Sequence, residues 1–158
     1  MALAERAGRR RVLVATAEPL DGEMRARIAR HRADRGAGWR TLEEPLVPGR
    51  ALADIERGGE ADVVVIDCLT LWLSNLVHRE RDADEAIAAL LDAIGGTTLP
   101  LVLVSNELGF GLVPETPLGR RFRDVHGRLN QRMAGACERV ELVVAGLPPS
   151  LRESAGVS

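Results

Sequence analysis

The chain has 158 residues, 46% of them hydrophobic, which is enough to bury the core of a single domain. Its net charge of -2 and its 3% aromatic content argue against a nucleic-acid-binding protein. No apolar run is long enough to cross a bilayer, no secretory signal is recognised, and the two cysteines, Cys68 and Cys137, match no metal-binding spacing. We therefore expect a cytoplasmic protein with small-molecule or protein partners, without nucleic acid and without a membrane span.

The first half of the chain alternates predicted strands and helices. A helix ends at Gly8, and an apolar run at 12–15 predicts a buried strand. Asp21 begins a helix in which Met24 and Ile28 recur on one face, and we expect that face to pack inward. The other elements of this half are a strand over 39–43, a weak helix over 50–57 and a strand over 63–66.

The second half continues the same alternation. We predict helices over 69–77, 84–94 and 118–138, strands over 101–104 and 141–145, a loop over 109–114 and a loose tail over 150–158. Apolar strands that alternate with helices are typical of an α/β domain with a mainly parallel sheet and helices on both faces. We expect residues 1–158 to form one such domain.

Polar residues follow several of the predicted strands. Ligands bind beyond the carboxyl ends of parallel strands, which is where Thr16, Asp67, Asn106 and Glu107 fall. An aspartate directly after a buried strand is what a phosphoryl-transfer enzyme uses to hold magnesium near nucleotide phosphates. The same pattern also fits an Asp67 that only caps the next helix.

A histidine lies between two arginines on the helix that Asp21 begins. His31 comes four residues after Arg27 and four before Arg35, so the three side chains share one ridge. A neutral imidazole can attack the α-phosphate of a nucleotide while arginines offset the developing charge. A solvated basic helix face explains the same spacing. Glu43 likewise fits a hydrogen bond to a ribose or base, or an ordinary acidic turn.

Several separated motifs, in the same order along the chain, resemble one known family. They are Ala15-Thr16, Leu20-Asp21-Gly22-Glu23-Met24, Ala26-Arg27-Ile28 before His31, Trp39-Arg40-Thr41-Leu42-Glu43, Asp67 with Thr70 and Asn75, Ser105-Asn106-Glu107-Leu108-Gly109, Val113-Pro114, Phe122-Arg123-Asp124 and Gly127-Arg128-Leu129-Asn130-Gln131. The family is the bifunctional adenosylcobinamide kinase and adenosylcobinamide-phosphate guanylyltransferase of cobalamin synthesis, and the resemblance covers residues 12–145.

The resemblance implies a P-loop NTPase (RecA-like) enzyme, a homo-oligomer and by resemblance a trimer. It implies an enzyme that phosphorylates adenosylcobinamide with ATP or GTP and then transfers GMP from GTP through a guanylylated histidine, with magnesium. His31 matches the position of that histidine. The positions matching nucleotide contacts are Thr16, Ala17, Glu18, Arg32, Ala33, Asp34, Arg35, Glu43 and Asp67. From its place directly after a buried strand, Asp67 is also the residue that we expect to hold magnesium.

One departure from the family pattern is large. Family members carry a glycine-rich phosphate loop that ends in Gly-Lys-Ser, whereas all 21 basic residues of this chain are arginine. The chain resembles a member without its first strand, its P-loop and most of its first helix. We favour a late start codon or a shortened chain, because a sheet rarely tolerates loss of a central strand. The alternative is a non-catalytic or nucleotide-impaired remnant that acts as a binding or assembly protein.

Overall fold

The computed structural model describes residues 2–36 and 38–153, and its centre is a parallel sheet of four strands. These strands are β1 (Arg11–Ala15), β2 (Trp39–Glu43), β3 (Val63–Asp67) and β4 (Leu101–Val104), and their order in the sheet is β2-β1-β3-β4. The helices are α1 (Ala2–Ala7), α2 (Gly22–Asp34), α3 (Pro48–Gly58), α4 (Leu69–His78), α5 (Ala83–Gly96) and α6 (Pro117–Ala136). The predicted α/β fold with a parallel sheet is confirmed. Among the described helices, none is both long and apolar enough to cross a membrane.

The main core lies on one face of the sheet. Side chains alternate along a strand, so Val12, Val14, Val64 and Ile66 all point to this face and are at most 1% exposed. Helices α3 to α6 cover them, and the buried helix residues include Leu52, Ile55, Trp72, Leu73, Ile87, Leu90, Leu129 and Met133. This layer fixes the strands and therefore the positions of the loops that follow them.

The opposite face carries a smaller core under α1. Ala4 packs there against Leu13, Val63 and Val65. The turn after α1 is held by Asp62, whose carboxylate accepts four hydrogen bonds of 2.6 to 3.0 Å from the Arg9 and Arg10 amides and the Arg10 guanidinium. These hydrogen bonds, above all those from the Arg10 side chain, lower the pKa of Asp62 to about 2. A short helix is thus fixed to the sheet by one carboxylate.

Helix α2 begins as predicted but does not pack as predicted. Asp21 is its N-cap, with Oδ1 accepting from the Met24 amide at 2.7 Å. However, no residue of this fully described helix is buried, and Met24 and Ile28 are only half-buried. Our expectation of an inward-packing face is wrong. Four of the 13 residues are arginine, and two large apolar side chains make too narrow a stripe to bury a helix.

The last predicted strand is also different in the structure. The run at 141–145 does not join the sheet; β5 (Val140–Glu141) pairs antiparallel with β6 (Ser150–Arg152). Val143 and Val144 remain 65% and 55% exposed. An apolar, β-branched run favours a strand, but only a neighbouring strand and a covering layer bury it. The first residues of the predicted tail form β6, and 154–158 lie outside the described residues.

Replacing Gly8 tests the junction between α1 and the sheet. A Cβ at Gly8 would lie 2.3 Å from the Cβ of Asp62, a residue whose hydrogen bonds prevent it from moving aside. We expect Gly8→Ala to lower the free energy of unfolding by about 1–3 kcal/mol. The matched Gly127→Ala change in α6, where nothing lies within 4 Å of the new Cβ, should raise the free energy of unfolding by up to about 1 kcal/mol. Urea denaturation measures both, and shifts of the same sign would contradict the prediction.

Candidate active site

The carboxyl ends of the four parallel strands lie side by side. Ala15 at the end of β1 pairs with both Glu43 of β2 and Asp67 of β3, and Asp67 pairs in turn with Val104 of β4. The residues after these strands therefore meet at one edge of the sheet. The expectation that Thr16, Asp67 and the segment 105–107 gather there is confirmed.

Thr16 ties two of these strand ends together. Its side chain is fully buried, its hydroxyl donates to the carbonyl of Cys68 at 2.7 Å, and the same oxygen accepts from the Cys68 amide at 2.8 Å. Its backbone amide donates to the Asp67 carbonyl at 3.0 Å, and its carbonyl accepts from Asn75 Nδ2 at 2.8 Å. The hydroxyl is therefore used inside the protein, and its contact with a nucleotide stays a prediction.

Asp67 is half-buried and does not cap the helix that follows. Cys68 is the N-cap of α4, and its Sγ accepts from the Leu71 amide at 3.5 Å. Among the described residues, the Asp67 carboxylate accepts no hydrogen bond, and no three His, Cys, Asp or Glu side chains form a complete metal site. Asp67 is thus a free carboxylate at a strand end, which suits a cation that takes its other ligands from a bound phosphate and water.

His31 is exposed near the end of α2, and it lines an open cleft. The cleft has a volume of about 330 Å³ and is lined by Glu23, Ala26, Arg27, Arg30 and His31. We call Arg27, His31 and Arg35 the α2 ridge, because they follow one another at intervals of four residues.

Both arginines of the α2 ridge act electrostatically on the end of β3. Burial lowers the pKa of Arg35, and the charge of Asp67 opposes that shift. Burial raises the pKa of the Cys68 thiol, and the charge of Arg27 opposes that shift. Arg35 also donates from Nη2 to Thr41 Oγ1 at 3.3 Å. Arg35 therefore lies beside β2, and both arginines fall within electrostatic reach of the end of β3.

The other predicted nucleotide contacts are more dispersed. Ala17 is half-buried, and Glu18 is held by Arg79 in two contacts of 2.5 and 2.6 Å, which lower the pKa of its carboxyl. Glu43 ends β2 and is exposed. Arg32, Ala33 and Asp34 are exposed at the end of α2. The structure brings Thr16, Arg35, Glu43 and Asp67 to the strand ends and leaves Glu18 in an ion pair beside them.

Sequence reasoning missed one buried polar residue behind this edge. His126 of α6 is 1% exposed and lies 2.9 Å from Thr70 Oγ1, measured from its Nε2. A signal was present in the sequence, because position 126 lies on the apolar stripe of α6 with Phe122, Leu129 and Met133. A polar residue on such a stripe must find a partner inside the protein.

The fold and the strand-end site define an α/β enzyme of the P-loop NTPase type. The family model described as cobinamide kinase / cobinamide phosphate guanyltransferase matches residues 1–151. This chain belongs to that family, and the family resemblance stated from the sequence is confirmed. The family name indicates both kinase and guanylyltransferase activity, and the enzyme prediction is confirmed at that level.

Characterised relatives carry the corresponding names. The chain is 47% identical over 141 residues to the bifunctional adenosylcobalamin biosynthesis protein CobP of Pseudomonas aeruginosa, a match that covers 88% of this chain and 80% of the relative. It is 36% identical over 154 residues to the bifunctional adenosylcobalamin biosynthesis protein CobU of Salmonella typhimurium, covering 85% and 81%. The CobU protein of Escherichia coli is 38% identical over 150 residues, with the same coverage.

The Thr16 hydroxyl should contribute measurably to stability. Thr16→Val keeps the shape of the side chain but leaves the buried Cys68 amide without its partner, whereas the Cys68 carbonyl still accepts from the Trp72 amide at 3.1 Å. Since an unsatisfied buried polar group costs about 1–3 kcal/mol, we expect a loss of about 2 kcal/mol in the free energy of unfolding. Thr16→Ser keeps the hydroxyl and should lose less than about 1 kcal/mol. Equal urea midpoints for the two variants would show that these hydrogen bonds do not stabilise the strand ends.

Proposed function

We propose that this chain phosphorylates adenosylcobinamide and then transfers GMP from GTP to adenosylcobinamide phosphate through a guanylylated His31. The single observation that carries the proposal is the α2 ridge, in which the accessible imidazole of His31 lies between Arg27 and Arg35 at intervals of four residues. The family match and the names of the relatives support the two activities.

The first half of the guanylyl transfer takes place at His31. A ring nitrogen of the neutral imidazole attacks the α-phosphorus of GTP, a nitrogen–phosphorus bond forms, and the bond from the α-phosphorus to the bridging oxygen of the β-phosphate breaks. Pyrophosphate leaves with that electron pair. Negative charge builds up on the phosphate oxygens, and Arg27 and Arg35 are placed to offset it with charge-assisted hydrogen bonds.

The second half regenerates the histidine. A phosphate oxygen of adenosylcobinamide phosphate attacks the phosphorus bound to His31, a phosphorus–oxygen–phosphorus link forms, and the nitrogen–phosphorus bond breaks. In the kinase reaction, a hydroxyl oxygen of adenosylcobinamide attacks the γ-phosphorus of ATP or GTP and the bond from that phosphorus to the bridging oxygen breaks. ADP or GDP leaves with the electron pair, and the hydroxyl proton passes to solvent. An exposed His31 suits the transfer, because both GTP and a bulky acceptor must reach the same nitrogen.

Other residues at the strand ends would orient the nucleotide. Glu43, exposed at the end of β2, would accept hydrogen bonds from the guanosine, and the segment 32–34 together with Thr16, Ala17 and Glu18 would contact it through the backbone and side chains. Asp67 is the carboxylate that would hold magnesium, which would neutralise phosphate charge when bound. Within these 158 residues every basic side chain is arginine, so arginines alone supply the cationic side chains for the phosphates.

The proposal also covers the domain organisation, the oligomeric state and the cellular compartment of the protein. We propose that residues 1–158 act as one transferase domain and that the protein works as a homo-oligomer, a trimer by family resemblance. The free thiols of Cys68 and Cys137 support a reducing compartment such as the cytoplasm. Sedimentation of the purified protein gives the oligomeric state directly.

The covalent intermediate provides the central test. We expect the protein, incubated with magnesium and GTP labelled at the α-phosphate, to form an acid-labile protein adduct. His31→Ala should reduce adduct formation by at least about 10³-fold, because the attacking atom is removed. His78→Ala is the matched control, since His78 is also an exposed histidine near the end of a helix, and it should form the adduct normally.

Two results would reject the role of His31. One is an adduct that persists in His31→Ala. The other is a folded wild-type protein that forms no adduct at saturating GTP and magnesium, which would favour the binding or assembly protein instead.

Asp67 should determine the magnesium dependence. We expect Asp67→Asn to raise the magnesium concentration needed for half-maximal adduct formation by at least about tenfold, because an amide is a weaker ligand than a carboxylate. Asp54→Asn, an exposed change in α3, is the control and should leave the magnesium titration unchanged. Superimposable titrations for Asp67→Asn and wild type would remove Asp67 from the magnesium site.

A further inference from the structure

A buried histidine joins three elements behind the strand ends. The Nε2 atom of His126, in α6, lies 2.9 Å from Thr70 Oγ1 at the start of α4 and 3.4 Å from Ser105 Oγ directly after β4. The ring of Phe122 stacks on the imidazole with a centroid distance of 6.1 Å. His126 therefore lies between α4, α6 and the end of β4, where the sheet presents its polar edge.

The hydrogen bonds of Thr70 indicate which proton state the ring adopts. Thr70 Oγ1 accepts from the Asn106 backbone amide at 3.0 Å, so its own proton is free to be donated to Nε2 of His126. When Thr70 donates to Nε2 in this way, the ring proton of the neutral imidazole is on Nδ1. The Asn106 amide is thus connected to His126 through one hydroxyl group.

A second branch connects the same segment to α6. Ser105 Oγ donates to Asn130 Oδ1 at 2.7 Å, and Asn130 Nδ2 donates to the Asn106 carbonyl at 2.9 Å. Asn130 Nδ2 also lies 3.4 Å from Glu107 Oε2, and Glu107 Oε1 accepts from the Gly109 amide at 2.6 Å. The backbone of the segment 105–107 is therefore held on two sides by α4 and α6.

We propose that His126 is a positioning residue for the transfer site. Its neutral imidazole accepts from the Thr70 hydroxyl, Thr70 Oγ1 accepts from the Asn106 amide, and the segment 105–107 thereby presents Asn106 and Glu107 at the strand ends. Val104 pairs with Asp67, so the segment begins beside the carboxylate that serves the site. The inference rests on the proposed function for the identity of that site.

The role of His126 requires the neutral imidazole. Protonation would turn Nε2 into a donor, and the Thr70 hydroxyl could then no longer donate to it while it accepts from Asn106. Burial lowers the pKa of His126, and the charge of Glu107 opposes that shift. Because the folded state holds the proton less tightly than an unfolded chain, this group contributes stability above the ordinary histidine pKa of about 6.5 and loses that contribution as the pH falls.

The first test reads the hydrogen bonds without any activity. In ¹⁵N-labelled wild-type protein, NMR should show His126 with its proton on Nδ1 at pH 8, and the Asn106 amide signal should shift with the same midpoint as the His126 ring when the pH is lowered. An Asn106 amide that does not follow the ring, or a proton found on Nε2, would overturn the inference. This arm remains informative even if the wild-type protein forms no GMP adduct.

The second test measures kcat and KM for GMP transfer in three variants between pH 5.5 and 8. His126→Leu should lower kcat/KM for GTP by about tenfold at pH 8, and His126→Gln, whose amide oxygen can accept from Thr70, should recover most of that loss. Thr70→Val removes the same connection without touching His126, and combining it with His126→Leu should cause little further loss. The ratio of wild type to variant cancels any pH dependence that the two proteins share, so this ratio isolates the contribution of His126.

This ratio gives the decisive result. The ratio of the wild-type kcat/KM to that of His126→Leu should fall towards one as the pH drops through the midpoint measured for the His126 ring. A ratio that stays constant with pH, or folded His126→Leu and Thr70→Val proteins with kcat/KM within twofold of wild type, would overturn the positioning role. A wild-type protein without adduct would reject the proposed function, and the NMR result would still decide whether His126 holds the segment.

Discussion

The buried hydroxyl of Thr16 is the interaction on which the strand-end site depends. It bonds both the amide and the carbonyl of Cys68, so the end of β1 is fixed to the residue directly after Asp67. Asn75 extends the same connection by donating to the carbonyls of Thr16 and Pro45, which lie after β1 and β2. These hydrogen bonds fix three chain segments, and the carboxylate of Asp67 accepts no hydrogen bond from the residues that the structure describes.

The arginine-rich composition that keeps α2 on the surface also gives this helix an exposed positive charge. A helix with four arginines in 13 residues cannot bury a wide face, so it contributes little to the core. Its arginines instead place positive charge near Asp67 and Cys68. A guanidinium group stays charged at any working pH and matches a phosphate with two hydrogen bonds. The same arginines therefore limit how much of the helix can be buried and leave its positive charge accessible to anions.

Local patterns predicted the strands well: three apolar runs coincide with β1, β3 and β4, and an alternating run coincides with β2. The polar residues after these strands meet at one edge of the sheet. Tertiary context decided the cases that local patterns missed. The run at 141–145 has the composition of a strand, but it lies outside the main sheet. Aspartate is a common N-cap residue, but the N-cap of α4 is Cys68 and not Asp67. The partners of His126 come from α4 and β4, 56 and 21 residues away, so no local pattern identifies them.

The two histidines at this site differ in burial, and that difference separates what each can do. A residue that carries a nucleotide must be reached by GTP and then by a second large substrate, and exposed His31 meets this condition while buried His126 does not. A residue that fixes backbone geometry must keep one proton state and one set of partners. Burial among Thr70, Ser105 and Phe122 provides both for His126. The proposed covalent chemistry and the proposed positioning role thus fall on different histidines, because His31 is exposed to water and His126 is not.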